Sequence, residues 1–244
     1  MQHIVPVSGG KDSTALALRL QEIEPRPYQY VITPTGDELP EMIDHWKNLG
    51  EMLGSPIKVI SSGQSLQGLI RRWGALPNWR QRWCTRVLKI EPFNEYLWEV
   101  APATVYVGLR ADEEGRVGNM LYGKVEGITQ RYPLQEWGWD VNDVLGFLEK
   151  RGVTIPKRTD CSRCFFQRLG EWWELWAKNP DAYASAEKDE KATGHTFRSP
   201  GRDSWPAGLA EMRQKFEKGK YPRGAGQLEM FSDRRPDMCR VCSL

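Results

Sequence analysis

Two adjacent glycines, Gly9 and Gly10, stand between a short apolar run and a helical run at the start of the chain. Residues 3–7 read as a buried strand. After the glycines, Thr14, Ala15, Leu16, Ala17, Leu18, Leu20 and Ile23 have the density of a helix, which Pro25 and Pro27 stop. A strand that passes through a glycine turn directly into a helix is the opening unit of a parallel sheet covered by helices. The alternation continues. Residues 28–33 predict a second strand, and residues 39–53 a second helix in which Met42, Ile43, Trp46, Leu49 and Leu53 keep roughly a 3.6-residue period. Residues 57–60 and 103–108 predict further strands, and residues 141–150 a helix that ends at Gly152. The fold class expected is α/β: a doubly wound, mostly parallel sheet with helices on both faces. Near Pro156 the composition changes, first to a Trp-rich helical piece over 171–178 and then to a stretch dense in Gly, Pro and charge over 194–235. The expected division is an α/β domain over 1–157 and a helical, Cys-rich region over 158–244.

Composition narrows the function classes. Eleven Trp, seven Phe and eight Tyr among 244 residues are too much large apolar surface for a chain that stays unfolded. With 34 basic and 32 acidic residues the net charge is +2, which excludes a polycation that coats nucleic acid by bulk charge. No run approaches the ~18 to 20 apolar residues of a membrane span, and the N-terminus lacks a basic-then-apolar leader pattern. The expectation is a soluble, cytoplasmic protein that makes no membrane contact.

The segment Ser8-Gly9-Gly10-Lys11-Asp12-Ser13 lies where helix-terminal N–H groups and their partial positive charge face a loop, a natural anion site. Glycine lets backbone approach phosphate oxygens, Lys11 adds a mobile cation, and the Ser8 and Ser13 hydroxyls donate hydrogen bonds. The spacing is not that of a Walker loop. SGGKDS in this position resembles the signature of the PP-loop, or adenine nucleotide alpha hydrolase, superfamily. In that group the loop grips the pyrophosphate of ATP.

More of the chain resembles one branch of that superfamily, the phosphoadenosine phosphosulfate (PAPS) reductase family, close to its phage and DNA-phosphorothioation members. Thr35-Gly36-Asp37-Glu38-Leu39-Pro40-Glu41 is similar to the branch's TGxEFPE segment. Cys84-Thr85-Arg86-Val87-Leu88-Lys89-Ile90-Glu91-Pro92 resembles its Cys, Lys and Pro segment, and Gly108-Leu109-Arg110 with Glu113 and Arg116 its GxRxxESxxR segment. Tyr132-Pro133-Leu134 with Trp137 resembles its PLxxW step. The resemblance implies a nucleotide-binding 1–157 domain with Ser8, Gly9, Gly10, Lys11, Asp12, Ser13, Thr35, Gly36, Glu38, Lys89, Gly108 and Arg110 around the nucleotide. It makes Lys11, Asp12, Arg110, Arg116 and Cys84 the catalytic candidates. The residue chemistry agrees: Arg110, Arg116 and Lys89 suit phosphate charge, and Asp12 and Glu38 suit Mg²⁺ or ribose.

Two chemistries occur in the resembled branch. One reduces PAPS with a tail cysteine. The other uses ATP to activate a substrate oxygen for replacement by sulfur. Reductases typically have an altered phosphate loop and a Cys-Gly-Ile-His tail, whereas this chain has SGGKDS and ends Cys239-Arg240-Val241-Cys242-Ser243-Leu244. ATP is therefore the favoured nucleotide, with a nucleic acid or nucleotide as acceptor and a cysteine desulfurase or thioredoxin-like protein as sulfur or electron donor. PAPS reduction is the second reading, and a nucleotide-sensing module without turnover the third.

The five cysteines fall as Cys84 and two CxxC pairs, Cys161/Cys164 and Cys239/Cys242. The pairs are 75 residues apart, longer than a usual zinc ribbon, so Zn²⁺ on four thiolates is one alternative. By resemblance, Cys84, Cys161 and Cys164 match three ligands of a [4Fe-4S] cluster, with Thr85 at the place of the fourth and a tail cysteine left to complete it. Alternatively the pairs take the metal, and Cys84, between Arg82 and Arg86, is the reactive thiol. From Leu69 to Lys89 six Arg or Lys and three Trp, with no acidic residue, suit either a single strand or the small nucleotide's phosphates. From His195 onward ten Lys or Arg against six Asp or Glu form a milder excess. His3, His45 and His195 form no metal motif, and Trp172, Trp173 and Trp176 have packing spacing.

Overall fold

The computed structural model describes residues 1–116 and 125–223. Strands β1 (Gln2–Pro6), β2 (Tyr28–Ile32), β3 (Lys58–Val59), β4 (Ala103–Tyr106) and β5 (Ile128–Arg131) form one sheet in the order β3-β2-β1-β4-β5, every pair parallel. β1 is central, with Ile4 opposite Gln29 on one side and Val105 on the other. Strands covered on both faces must be apolar on both, and Ile4 and Val5 are both fully buried. Strand order reverses between β1 and β4, so their carboxyl ends diverge and open a crevice.

Helix α1 (Lys11–Ile23) and helix α2 (Pro40–Met52) lie with α7 (Val141–Lys150) on one face. Leu16, Leu20, Leu49, Val144 and Leu148 meet Val5, Tyr28 and Tyr30 there. The other face is covered by Phe93, Tyr96 and Leu97 of α5 (Glu91–Val100), packed on Ile4, Val31 and Val105. Asp140 caps α7 by accepting from the Asn142 and Asp143 amides.

Helices α3 (Leu66–Trp73) and α4 (Trp83–Thr85) precede α5. Between α4 and α5 the chain makes a π-helical turn over Arg86–Ile90, where the Glu91 N–H bonds Arg86 O, five residues back. Pro92 brings no N–H and its ring crowds the carbonyl four residues earlier, which this wider turn accommodates. After β5 and the short α6 (Pro133–Glu136), helices α8 (Leu169–Lys178), α9 (Pro180–Thr193) and α10 (Leu209–Glu217) pack as a group. Trp172, Leu175, Tyr183, Met212 and Phe216 join Leu39, Leu66, Leu69, Ile70 and Leu88 in one cluster. The C-terminal helices are thereby fastened to α3 and to the segments that follow β2 and α4.

The strands and helices anticipated from periodicity are present with shifts of a few residues at their ends. β5, α3, α4, α5 and α6 were not anticipated, nor were α9 and α10 as individual helices within the C-terminal region expected to be helical. β5 reads Ile-Thr-Gln-Arg without alternation, and α9 carries only a faint apolar face. α10 lies inside the stretch dense in Gly, Pro and charge, where Leu209, Met212 and Phe216 have the i, i+3, i+7 spacing of a buried stripe. Among the described residues no helix is long and apolar enough to cross a membrane.

Candidate active site

The Ser8–Ser13 loop occupies the β1 side of the crevice. Gly9 has φ +84, and a Cβ there would lie 1.9 Å from Met42 Cε and 2.6 Å from Trp46 Nε1, so glycine is required by both conformation and space. Ser13 Oγ donates to Gly10 O at 3.1 Å and sits 3.0 Å from Ser8 Oγ, while the Gly10 N–H donates to Ser8 Oγ at 3.4 Å. The two serines thus brace the turn rather than projecting freely. Among the described residues no side chain caps the start of α1 at Gly10. From the neighbouring strand, Gly108 follows β4 closely enough that a Cβ would come within 3.4 Å of the Ser13 backbone.

The same contact brings Asp12 to Arg110. One guanidinium nitrogen, Nη1, donates to both Asp12 oxygens at 3.0 Å, and the Nε and Nη2 edge bonds Asp112 at 2.8 and 3.2 Å. Glu113 Oε2 lies 3.7 Å from Nη1. Burial opposes the charge, but the bonds to Asp112 and the field of Asp12 outweigh it and raise the Arg110 pKa. Arg110 was anticipated as a phosphate ligand. In this structure its guanidinium faces Asp12, Asp112 and Glu113 and ties the first turn of α1 to the loop after β4. Lys11 Nζ stands 3.5 Å from Asp12 Oδ2, which Arg110 also contacts. Arg116 closes the 3-10 turn Ala111–Arg116, and its side chain lies outside the described residues, as do Cys239 and Cys242.

The segment after β2 forms a second wall. Glu38 accepts from the Thr35 N–H at 2.6 Å, the Thr35 hydroxyl at 2.7 Å and the Gly36 N–H at 2.9 Å, and so folds this turn on itself. Glu38 also pairs with Cys161 in an isolated antiparallel bridge, and the Ser162 N–H donates to Asp37 O at 2.9 Å. The first CxxC segment is therefore docked on the carboxyl end of β2. Arg163, inside that CxxC, holds the arrangement. Its guanidinium reaches Asp37, Asp189 at 2.7 Å and Ser185 at 2.6 Å, with the side chain 4% exposed. Burial raises the Asp37 pKa against the opposing pull of Arg163.

Arg82, Cys84, Thr85 and Lys89 supply a third wall. Cys84, Cys161 and Cys164 all border the one cleft, together with Ser8, Gly10, Asp12, Ser13, Thr35, Glu38 and Gly108. Burial, and then the neighbouring Cys161, raise the Cys84 pKa; a hydrogen bond with Cys161, and then burial, raise that of Cys164 well above the usual thiol value. Arg163 and Asp37 were missed as site residues, although each sits inside a segment singled out in the sequence.

Two groups implied by the resemblance can be tested against these residues. Asp12 and Glu38 border the cleft with both carboxylates already accepting bonds. Glu38 Oε1 already accepts two bonds, but Glu38 Oε2 and Asp12 Oδ1 each accept one and keep a further lone pair, enough for one contact to a Mg²⁺ otherwise held by phosphate oxygens and water. For a cluster, the donor chemistry is right in kind, since three thiols border one cleft. Among the described residues, however, no three His, Cys, Asp or Glu side chains converge at metal-ligand distance.

Comparison with known proteins agrees with the architecture. The Candida auris phosphoadenylyl-sulfate (PAPS) reductase, solved as a phosphate complex, superposes with a TM-score of 0.51 at 16% identity, over 64% of this chain and 75% of that one, which speaks to the fold. Phosphoadenosine 5'-phosphosulfate reductase of Cronobacter sakazakii is 30% identical over 129 residues, covering 50% of this chain and 51% of that protein. The Salmonella typhi reductase of the same name is 27% identical over 192 residues, 76% of this chain and 65% of that protein. The alignment with the first of these thus spans about half the length of that relative. The family described as the phosphoadenosine phosphosulfate reductase domain matches residues 2–172, which include all five strands and the residues lining the cleft, and the chain belongs to that family.

Proposed function

We propose that the chain is an ATP-dependent cytoplasmic enzyme that releases pyrophosphate to activate a nucleic-acid or nucleotide acceptor for sulfur transfer. The observation that carries this reading is the SGGKDS loop, intact in sequence and held at positive φ on Gly9 where β1 and β4 diverge. An anion seated there meets the positive end of α1 and Lys11. In the proposed reaction an acceptor oxygen attacks the α-phosphorus, the bond to the bridging oxygen of pyrophosphate breaks, and AMP remains on the acceptor. The outer sulfur of a persulfide then forms the carbon–sulfur or phosphorus–sulfur bond as AMP departs with the acceptor oxygen, and a second thiolate breaks the S–S bond, leaving sulfur on the acceptor and a disulfide on the donor side. Lys11 and the loop amides stabilise the charge gathering on pyrophosphate, Mg²⁺ would add to that stabilisation from the side of Asp12, and the rest is alignment.

Thiols at the cleft wall favour a second reading, reduction of PAPS with release of sulfite, the activity for which the matched relatives are named. The decisive assay follows pyrophosphate from ATP and sulfite from PAPS in parallel. Pyrophosphate with ATP, abolished by Lys11→Ala, supports the first reading; sulfite alone establishes the second. We also assign Cys84, Cys161, Cys164 and a tail cysteine to a [4Fe-4S] cluster. Anaerobically purified protein should then contain iron and sulfide, and colourless protein with stoichiometric zinc refutes that assignment in favour of Zn²⁺.

A further inference from the structure

We infer that the surface formed by α3 and the loop after it binds single-stranded nucleic acid and leads it to the cleft. As an acceptor track it rests on the sulfur-transfer reading; as a binding surface it stands without it. Residues 52–90 contain seven Lys or Arg and no Asp or Glu, in a chain whose charges are otherwise nearly balanced. Folding does not bury this excess. Arg71, Arg72 and Arg80 are exposed, and among the described residues Arg72 and Arg80 make no ion pair. The nearest acid to Arg71 is Asp189, 3.9 Å from its Nε, and that carboxylate is buried and already bonded to Arg163. Glu91 pairs with Arg86 at the far end of the segment.

Flat rings lie among these cations. Trp79 is 60% exposed and Trp73 43%, whereas Trp172 is fully buried in the core. Arg80 stacks over Trp79 at 4.7 Å from the ring centroid. Trp73 meets Trp83 edge to face at 4.8 Å, and Trp83 is flanked in sequence by Arg82 and Cys84, both of which border the cleft with Lys89. Cations and rings therefore run from the outer face of α3 to the thiol wall. This combination fits a strand whose bases are unstacked, because each base offers a π-face to a ring while its phosphate meets a guanidinium. A duplex keeps its bases stacked and out of reach of Trp79, and an acidic peptide would use the charges without the rings.

The test is fluorescence anisotropy of a labelled single-stranded oligonucleotide with the full chain, over a range of salt. Binding should weaken as salt rises, Trp79→Ala should weaken it about tenfold, and Arg72→Ala with Arg80→Ala should lower the salt slope by about two. ATP binding should be unchanged in these variants. Equal affinity for duplex, equal competition by polyglutamate, or no effect of Trp79→Ala would each overturn the inference. Oligonucleotide binding without pyrophosphate release would sink the ATP reading and leave this surface standing; pyrophosphate release without oligonucleotide binding would do the reverse.

Discussion

Replacing Arg163 by Met tests how the cleft is held together. The guanidinium is 4% exposed, and its two carboxylate partners, Asp37 and Asp189, are 9% and 3% exposed. Methionine fills much of the volume but leaves both acids in a poorly solvated interior. Removing one partner of a buried ion pair costs about 3–5 kcal/mol. Asp37 keeps the Gln67 N–H at 2.8 Å, and its pKa already leans upward, so it can escape part of the cost by taking a proton. The lower end, about 3 kcal/mol, is the expected loss. Denaturant unfolding of wild type, R163M, D189N and the double variant reads it as a shift of midpoint. Asp189→Asn should be costly alone yet recover stability in the R163M background, with a coupling of at least about 1 kcal/mol. Arg163→Lys, which keeps the charge but not the fork, should fall between wild type and R163M. A loss below about 1 kcal/mol for R163M, or additive single effects, would refute the clamp. Because Asp37 and Glu38 belong to the same turn, R163M should also weaken nucleotide binding under conditions where it is folded.

Gly9→Ala combines a left-handed backbone penalty of about 1–2 kcal/mol with overpacking against Met42 and Trp46 of about 1–3 kcal/mol, so thermal unfolding should show a severe loss; an unchanged midpoint would mean that the turn has another conformation. Glu190 is buried and its pKa is raised from 4.5 to about 7 by burial, against the bonds it accepts from the Leu209 and Phe197 amides. Its folded pKa lies above the unfolded one, so its contribution is complete below pH 4.5 and is lost as pH rises through 7, by about 3 kcal/mol. Glu190→Gln keeps an acceptor for only one of the two amides, so it should lower stability at low pH, and it should flatten the stability profile over that window; parallel profiles for the two proteins would refute the assignment. Arg110→Lys removes the shared grip on Asp12 and Asp112 and should cost about 1–3 kcal/mol with weaker ATP binding, measured by calorimetry; full ATP affinity would show that the α1–β4 contact does not shape the loop.

What was legible in the sequence depended on how far each interaction reaches along the chain. The phosphate loop is local: a strand, two glycines and a helix start lie within one short stretch, and the backbone requirement at Gly9 shows through residue identity alone. The sheet followed from repeated strand-to-helix alternation, and α7 from a helical stretch with a glycine beyond its end. β5 was missed because four residues without alternation carry no period. α9 and α10 were obscured by charge, although the stripe of Leu209, Met212 and Phe216 was available. The ion-pair partner of Arg110 was not legible. Sequence reasoning recognised a cation beside a phosphate loop, but its partner Asp12 is 98 positions away and meets it only because β1 and β4 are neighbours.

The same dependence on topology explains why the C-terminal helices matter to a cleft formed by an α/β sheet. A crevice at a strand-order reversal has two walls supplied by the sheet itself, here the loops after β1 and β4. The wall after β2 has no such support, since β3 is only two residues long and exposed at the edge. Glu38 fixes that turn internally, but its position relative to the crevice is set by the CxxC segment bridged to it and by Arg163 reaching to α9. The three cysteines thus border the cleft for a structural reason as well as a chemical one. The segment that bears Cys161 and Cys164 closes the open side of the cleft, and the cluster of α3, α8, α9 and α10 holds it there. Loss of packing in that helical group should therefore appear first at the cleft, through Asp37 and Glu38, before the sheet itself gives way.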